Sequence, residues 1–371
     1  MQIKRLLQPL TSPLAVLIYA LAGGELLLRA VGFEYPPAAD RGFVWSKEED
    51  RAMRAGTSFN QFDPITLWNP RPGALIAWTK DERVNSAGYR GPLVPKERRP
   101  GVMRILTLGS CAAFGRGIAY EDTYSALLVQ HLRERGIEAE VLSGGVVGST
   151  IQQGLERYRN VFREYRPDLV ISSFCGYKEH DSASRYECDG ARMKSWRADP
   201  DRSPCRAHRW SPRRNLRIVQ LPIWMFHVLD GTYWKEVSLD FEEGRLHPLV
   251  KDCDAPVVRR VSPEEFMEAL ETLDREMCAD GGRLMLANVP NNVSQARQSS
   301  VVEMYGEQLR EFGQRRHVVH VNGRDVIRRA AQQGTPASEL FDPEGFPSAC
   351  AHDLLAQALA DEIASQLEHT R

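Results

Sequence analysis

From residue 103 onward, short unbroken apolar runs alternate with longer segments in which apolar residues recur every three or four positions. "MRILTLG", "AEVLSGG", "PDLVISSFCG", "RLMLANV" and "HVVHV" are short and have no polar side, the pattern of strands covered on both faces. "EDTYSALLVQHLRERG" predicts a helix, with apolar residues at 127, 128 and 132, an N-cap at Asp122 or Thr123 and a stop at Gly136. Helical spacing also marks "TIQQGLERYRNVFREY", "SPEEFMEALETLDREMCADGG", residues 300 to 312 and the closing "ACAHDLLAQALADEIASQLE". Strand–helix units repeated over 101–371 predict an α/β fold with a mostly parallel, doubly wound sheet.

Three segments depart from that alternation. Between Arg5 and Glu25 lie nineteen uncharged residues behind Lys4 and Arg5, just enough to cross a hydrocarbon core of roughly 30 Å as a helix. The flanking cations favour a cytoplasmic N-terminus, and no small-residue cleavage site follows cleanly. Residues 1–31 therefore read as an uncleaved membrane anchor that leaves the rest extracytoplasmic, periplasmic or in the cell envelope; Pro9 and Pro13 weaken the helix. Residues 32–100, rich in Pro, Gly and aromatics with turn signals "NPRPG" and "SAGYRG", predict an irregular extension with a hairpin or two. Residues 182–258 interrupt the domain as a long polar insertion, with one amphipathic helix in "SPRRNLRIVQLPIWMFHVL". Five arginines between 206 and 217 read as a solvated basic face, with anionic lipid or polysaccharide as the other reading.

The balance of 48 Lys and Arg against 49 Asp and Glu gives no support for nucleic-acid binding, which needs excess cations to displace counterions. Seven cysteines leave at least one unpaired within the chain; Cys188 and Cys205 could close a loop in an oxidising compartment. No P-loop, dinucleotide fingerprint or complete metal signature is present, so no cofactor and no metal is expected. "CRAH" is only half a zinc site, "KEHD" cannot turn four neighbours to one point, and His317 and His320 fall on opposite faces of a strand. His352 and Asp353 are expected to cap and pack the last helix.

In an open parallel sheet, ligands bind outside the carboxyl ends of the strands. Four segments leave those ends: "GSCAAFG" (109–115), "SGGVVGST" (143–150), "FCGYKEHD" (174–181) and "LFDPEGFPSACAHDLLAQAL" (340–359). Over most of 100–181 and 262–365 the chain resembles the SGNH or GDSL hydrolases, serine esterases and acyl transferases of flavodoxin-like fold. "GSCAAFG" stands at the family's "GDSxTxG", "SGGVVGS" at "NxGxxG", "CGYK" at "GxND", and "DPEGFPSACAH" at "DxxHPxxxGH". The N-terminal anchor and "VNSAGYRGP" look like those of envelope-anchored members.

The resemblance implies a nucleophile at Cys111, where the family has serine, an oxyanion donor at Gly148, and an acid at Asp342 or, one residue off, Glu344. Tyr177 falls where an oxyanion-hole asparagine is expected, and Phe346 where the catalytic histidine is expected. His352 matches a later histidine that is not the base. Ester hydrolysis needs a base for the nucleophile's proton and N–H donors for the tetrahedral oxyanion, and phenylalanine cannot accept a proton. A thiol tolerates a weaker base than an alcohol does, and His180 is the nearby candidate by sequence. Ser110, Gly145, Tyr177, His180 and Phe346 are then the residues expected to touch ligand, the aromatics suiting sugar rings or acyl chains. Ser110 itself becomes the nucleophile only if the elbow shifts by one residue.

Two function classes follow. One is an ester hydrolase or O-acyl transferase acting on acylated carbohydrate or lipid through Cys111. The other is a degenerate relative that binds such a ligand, or a partner protein, without turnover. The residues favour the second and the resemblance the first.

Overall fold

The computed structural model describes residues 12–33, 35, 52–53, 55–175, 188–198, 212, 216–230, 260–289 and 300–369. In chain order these form α1 (Pro13–Ala30), β1 (Asn60–Asp63), β2 (Leu67–Pro70), β3 (Met103–Leu108), α2 (Cys111–Phe114), α3 (Tyr124–Glu134), β4 (Ala139–Ser143), α4 (Ile151–Arg157) and β5 (Leu169–Ser172). They continue with α5 (Asp189–Ala198), α6 (Arg217–Leu229), α7 (Pro263–Ala279), β6 (Arg283–Asn288), α8 (Ser300–Arg316), β7 (His320–Asn322), α9 (Gly323–Gln332), α10 (Ala337–Leu340) and α11 (Ala349–His369). The described residues divide into two compact units: α1 with α6, and everything from 52 onward apart from α6 and its flanks.

In the larger unit five strands run parallel in the order β4-β3-β5-β6-β7. Numbered along the sheet's own strands this is 2-1-3-4-5, the flavodoxin-like order, with its switch point between β3 and β5. Alternation along each strand separates two cores. Leu106, Leu142, Val170 and Leu284 face one side, under Leu155 of α4, Leu270 and Leu273 of α7 and Leu309 of α8. Ile105, Val141, Ile171 and Met285 face the other, under Leu128 and Leu132 of α3 and Leu355 and Leu359 of α11. The unbroken apolar runs thus reflect burial on both faces, and the fold is the doubly wound α/β sheet that the pattern predicts.

Local differences have local causes. Thr123 rather than Asp122 caps α3, its side chain accepting from Ala126 N. The helix expected from Thr150 to Tyr165 is regular only to Arg157 and then widens into a π turn and a 3-10 turn. "HVVHV" becomes strand only at His320, because His317 sits at φ 55 in the turn that leaves α8, so the two histidines do not share a strand. β1 and β2 pair as the one regular hairpin described in the 55–100 region, with an isolated bridge between Leu75 and Arg83 beyond it. Cys188 is a free thiol whose Sγ lies 3.2 Å from Glu265 Oε1; Cys205, its expected partner, lies outside the described residues.

α1 starts at Pro13, where the ring costs nothing because a first-turn N–H has no helical partner, and Ser12 caps it by accepting from Ala15 N. It runs past Gly24 to Ala30, is long and apolar enough to cross a membrane, and buries no side chain.

His352 ties the two ends of the larger unit together. Its Nδ1 accepts from the backbone N–H of Tyr124, the first residue of α3, and its ring stacks on that tyrosine at 5.8 Å. The residue expected to cap its own helix therefore caps another, across the sequence. Burial pushes its pKa down to about 3, with Arg90 adding to the effect. A histidine held neutral in the folded state contributes stability above its unfolded pKa, lost as the pH falls through about 6.5 toward the folded value. His352→Gln is expected to flatten the fall of unfolding free energy between about pH 6 and 4 by roughly 1.4 kcal/mol per pH unit, read from urea unfolding at each pH. An unchanged slope would contradict the assignment.

Candidate active site

β3 ends at Leu108, and the chain turns through Gly109 and Ser110 into the single turn of α2, closed by Gly115. Cys111 opens that turn at the edge of the sheet where the switch point lies. Its Sγ accepts from Gly148 N–H at 3.4 Å, and Ser110 Oγ lies 3.7 Å away. The first and second blocks therefore meet at the sulfur, as the sequence predicts.

The second block lies against the backbone of the first. Val146 N donates to Gly109 O at 3.0 Å, and Ser149 Oγ donates to the same carbonyl at 3.0 Å. A Cβ on Gly145 would stand 2.6 Å from the backbone of Ala113 and Phe114, so only glycine allows this approach. Gly148 sits at φ 75, which turns its N–H back onto the sulfur. Ser110 is half-buried at the N-terminal side of the turn.

Two buried arginines that sequence reasoning missed hold this arrangement. Arg90, wholly buried, donates to the carbonyls of Phe114 at 2.7 Å, Gly115 at 2.6 Å and Ile118 at 2.6 Å, gripping the chain where it leaves α2. Its charge is matched by both carboxylate oxygens of Glu82, at 2.6 and 2.7 Å. Arg260 does the same for the second block: it donates to Gly148 O at 2.6 Å and to Gln153 Oε1 at 2.7 Å. It pairs with the fully buried Asp189, 2.9 Å away, and lies over the ring of Trp68 at 5.1 Å. Trp68 Nε1 in turn donates to Val147 O at 3.0 Å. Arg90 stood inside the quoted lead-in "VNSAGYRGP", but nothing in a lone surface-type residue announces burial. Arg260 and Asp189 lie beside or inside the segment read as an insertion.

The surroundings of the sulfur are apolar. Cys111 packs in one cluster with Phe59, Ile76, Val84, Phe114, Val147 and Phe346, and is 6% exposed. Phe59 and Phe114 lie tilted against each other at 5.5 Å, with Trp78 edge-on to both. Half of this wall comes from residues 59–84, the extension that the sequence presents only as irregular. Among the described residues no imidazole hydrogen-bonds the sulfur.

The fifth block reaches the same cluster through Phe346. Asp342 is half-buried and its Oδ1 accepts from Phe346 N–H at 2.8 Å, while Asp342 N donates to Phe346 O at 2.9 Å, so this carboxylate closes its own turn. Arg116 reaches across from the first block, its guanidinium 4.3 Å above the Phe346 ring and 2.8 Å from Glu344 Oε2. Tyr177 and His180 lie outside the described residues. Among the described residues no group of His, Cys, Asp and Glu is gathered to hold a metal ion.

No family model matches the chain. A curated arylesterase from Vibrio mimicus is 31% identical over 68 residues, which is 18% of this chain and 34% of that protein, so the chain spans about a third of the relative it matches. Solved structures that align with it include a lipolytic protein of the G-D-S-L family from Desulfitobacterium hafniense, at 13% identity and TM-score 0.40, covering 70% of this chain and 98% of that one. The acetylxylan esterase Axe2 from Geobacillus stearothermophilus aligns at 14% identity and TM-score 0.41, covering 70% and 94%. An α/β hydrolase from the metagenome of Lake Arreo aligns at 16% identity and TM-score 0.42, covering 71% and 95%.

Two outcomes test the geometry. Removing Phe346 from the wall (Phe346→Ala) is expected to raise native-state iodoacetamide labelling of Cys111, read by peptide mass spectrometry, by at least about tenfold; equal rates would show that the ring does not cover the sulfur. Arg260→Met strands Asp189 as a buried charge and is expected to cost about 3–5 kcal/mol in urea unfolding, with Asp189→Leu in the same chain recovering most of it. A loss below about 1 kcal/mol would contradict the pairing. The strand order is that of a flavodoxin-like, doubly wound α/β sheet, and over 68 residues the chain is similar to an arylesterase.

Proposed function

We propose that the chain is an envelope protein of SGNH/GDSL type that acts on an acyl ester of carbohydrate or lipid, with Cys111 as nucleophile. The observation that supports this best is the Gly148 N–H directed at Cys111 Sγ at 3.4 Å, a nucleophile and a fixed N–H donor side by side at the sheet's switch point. The name of the arylesterase agrees with ester chemistry.

In this reading the thiolate attacks the ester carbonyl, and the tetrahedral oxyanion is held by the Gly148 N–H. The alcohol leaves with a proton, and water or an acceptor hydroxyl releases the acyl group from sulfur. His180 takes the thiol proton and returns it to the leaving alcohol. Asp342 supports the turn that carries Phe346, and Phe346 with Phe59 forms the wall against which the acyl group lies. Tyr177, three residues before His180 in sequence, belongs to the ligand-binding set in this reading. α1 holds the domain to the membrane from its outer side.

A second reading has its own observation. Phe346 stands where a base is expected and closes an apolar cluster over the sulfur, which suits a protein that binds an acylated ligand and leaves it intact. Full-length protein in detergent, assayed with nitrophenyl acetate and an acetylated oligosaccharide, separates the two. The first reading expects turnover that falls by about 100-fold or more in both Cys111→Ala and His180→Ala. No turnover above the uncatalysed rate, with oligosaccharide binding intact, overturns it in favour of the second.

A further inference from the structure

The smaller unit turns its polar groups inward and its apolar side chains outward. Glu25, an acid within the apolar helix α1, accepts from the backbone N–H of Ile218 at 2.9 Å, in the first turn of α6, and pairs with Arg29 at 2.7 Å. α6 has no side-chain cap of its own at Leu216, so Glu25 supplies one from the neighbouring helix. Beyond α1 the chain runs beside α6: Tyr35 N donates to Gln220, which is fully buried, Tyr35 OH meets His227 Nδ1 at 2.7 Å, and Phe33 lies edge-on to Trp224. Gly24 allows the approach, since a Cβ there would stand 3.0 Å from Ile218 Cδ1.

The outward surface is the reverse of a water-facing one. Leu17, Ile18, Leu26 and Leu27 on α1 are 54 to 69% exposed, and Met225, Phe226 and Leu229 on α6 are 51, 64 and 84% exposed. Water would penalise such a continuous apolar face, whereas lipid would not. At 13 residues, α6 is about 20 Å long, too short to span and of the length of interfacial or re-entrant segments. It meets α1 at Gly24 and Glu25, in the half of the anchor that lies toward the rest of the chain.

We propose that α6 is a second membrane contact: an internal helix that packs on the C-terminal half of α1 and seats Met225, Phe226 and Leu229 in the bilayer interface on the side where the anchor exits. The sequence just before α6 carries Arg209, Arg213 and Arg214, a composition that suits a membrane with anionic headgroups. The proposal rests on the reading of α1 as a membrane anchor. Glu25 then has a defined role, as the polar lock that joins the two helices.

The test uses the full chain in phosphatidylcholine–phosphatidylglycerol vesicles that carry a photo-reactive-compatible, clickable phosphatidylcholine. Benzoylphenylalanine is placed singly at Phe226, at Leu229, at Leu17 in α1, and at Leu93, an exposed residue of the larger unit. After irradiation, lipid adducts at Phe226 and Leu229 are expected within about threefold of Leu17 and at least about tenfold above Leu93. Adducts at the Leu93 level from both α6 positions, with Leu17 strongly labelled, overturn the proposal and leave the anchor reading intact. A cross-linked dimer from Phe226 in place of lipid adducts overturns it in favour of a second copy. Failure at Leu17 as well removes the anchor reading and this inference together.

Discussion

A guanidinium group with no access to water needs acceptors for its N–H groups and an anion for its charge; Arg90 finds an acceptor for all five and Arg260 for four, at the turns that make the site. Each spends part of its fork on a carboxylate, Glu82 or Asp189, and the rest on backbone carbonyls and, for Arg260, on Gln153 Oε1 as well. For Arg90 those carbonyls are Phe114, Gly115 and Ile118; for Arg260 the backbone partner is Gly148. The parallel sheet places the ends of β3 and β4 side by side, but it does not fix the turns beyond them. The arginines do, because a buried ion pair that also grips backbone carbonyls tolerates few alternative geometries.

The close contact of Cys111 Sγ with Gly148 N–H follows from these two clamps and from the glycine that lets the second block lie on the first. Gly145 carries no Cβ where one would meet the backbone of Ala113 and Phe114. The environment of the sulfur is then set by what packs around it: Phe59, Phe114 and Phe346 are aromatic, and Arg116 lies over the Phe346 ring. This apolar wall keeps the thiol from bulk solvent. In the smaller unit the same rule of satisfied polar groups works in reverse, with Glu25, Gln220 and His227 turned inward between the helices.

The sheet was legible because burial on both faces leaves an unbroken apolar run, and "MRILTLG" or "RLMLANV" admits little else at that length. The meeting of Cys111 with Gly148 was legible because both lie just past strand ends, and strand ends gather at one edge. Arg90, Arg260 and Asp189 were not, since a charged residue in an irregular stretch reads as solvated until its partners, distant in sequence, are known. The wall formed by Phe59, Ile76 and Val84 was hidden for a related reason: a segment without periodicity shows no face. His352 read as part of its own helix, whereas its Nδ1 serves the first turn of α3, a contact that no local pattern encodes.

Amide hydrogen exchange at the second block measures the clamp most directly. Arg260→Lys keeps a positive charge near Asp189 but lacks the fork that reaches Gly148 O and Gln153 together. Exchange of the Gly148, Ser149 and Thr150 amides in that variant is predicted to rise by about tenfold or more over the unaltered chain, with β3 unchanged. Equal exchange at these amides in the two proteins would contradict the claim that the buried guanidinium, rather than the sheet, holds the donor against the sulfur.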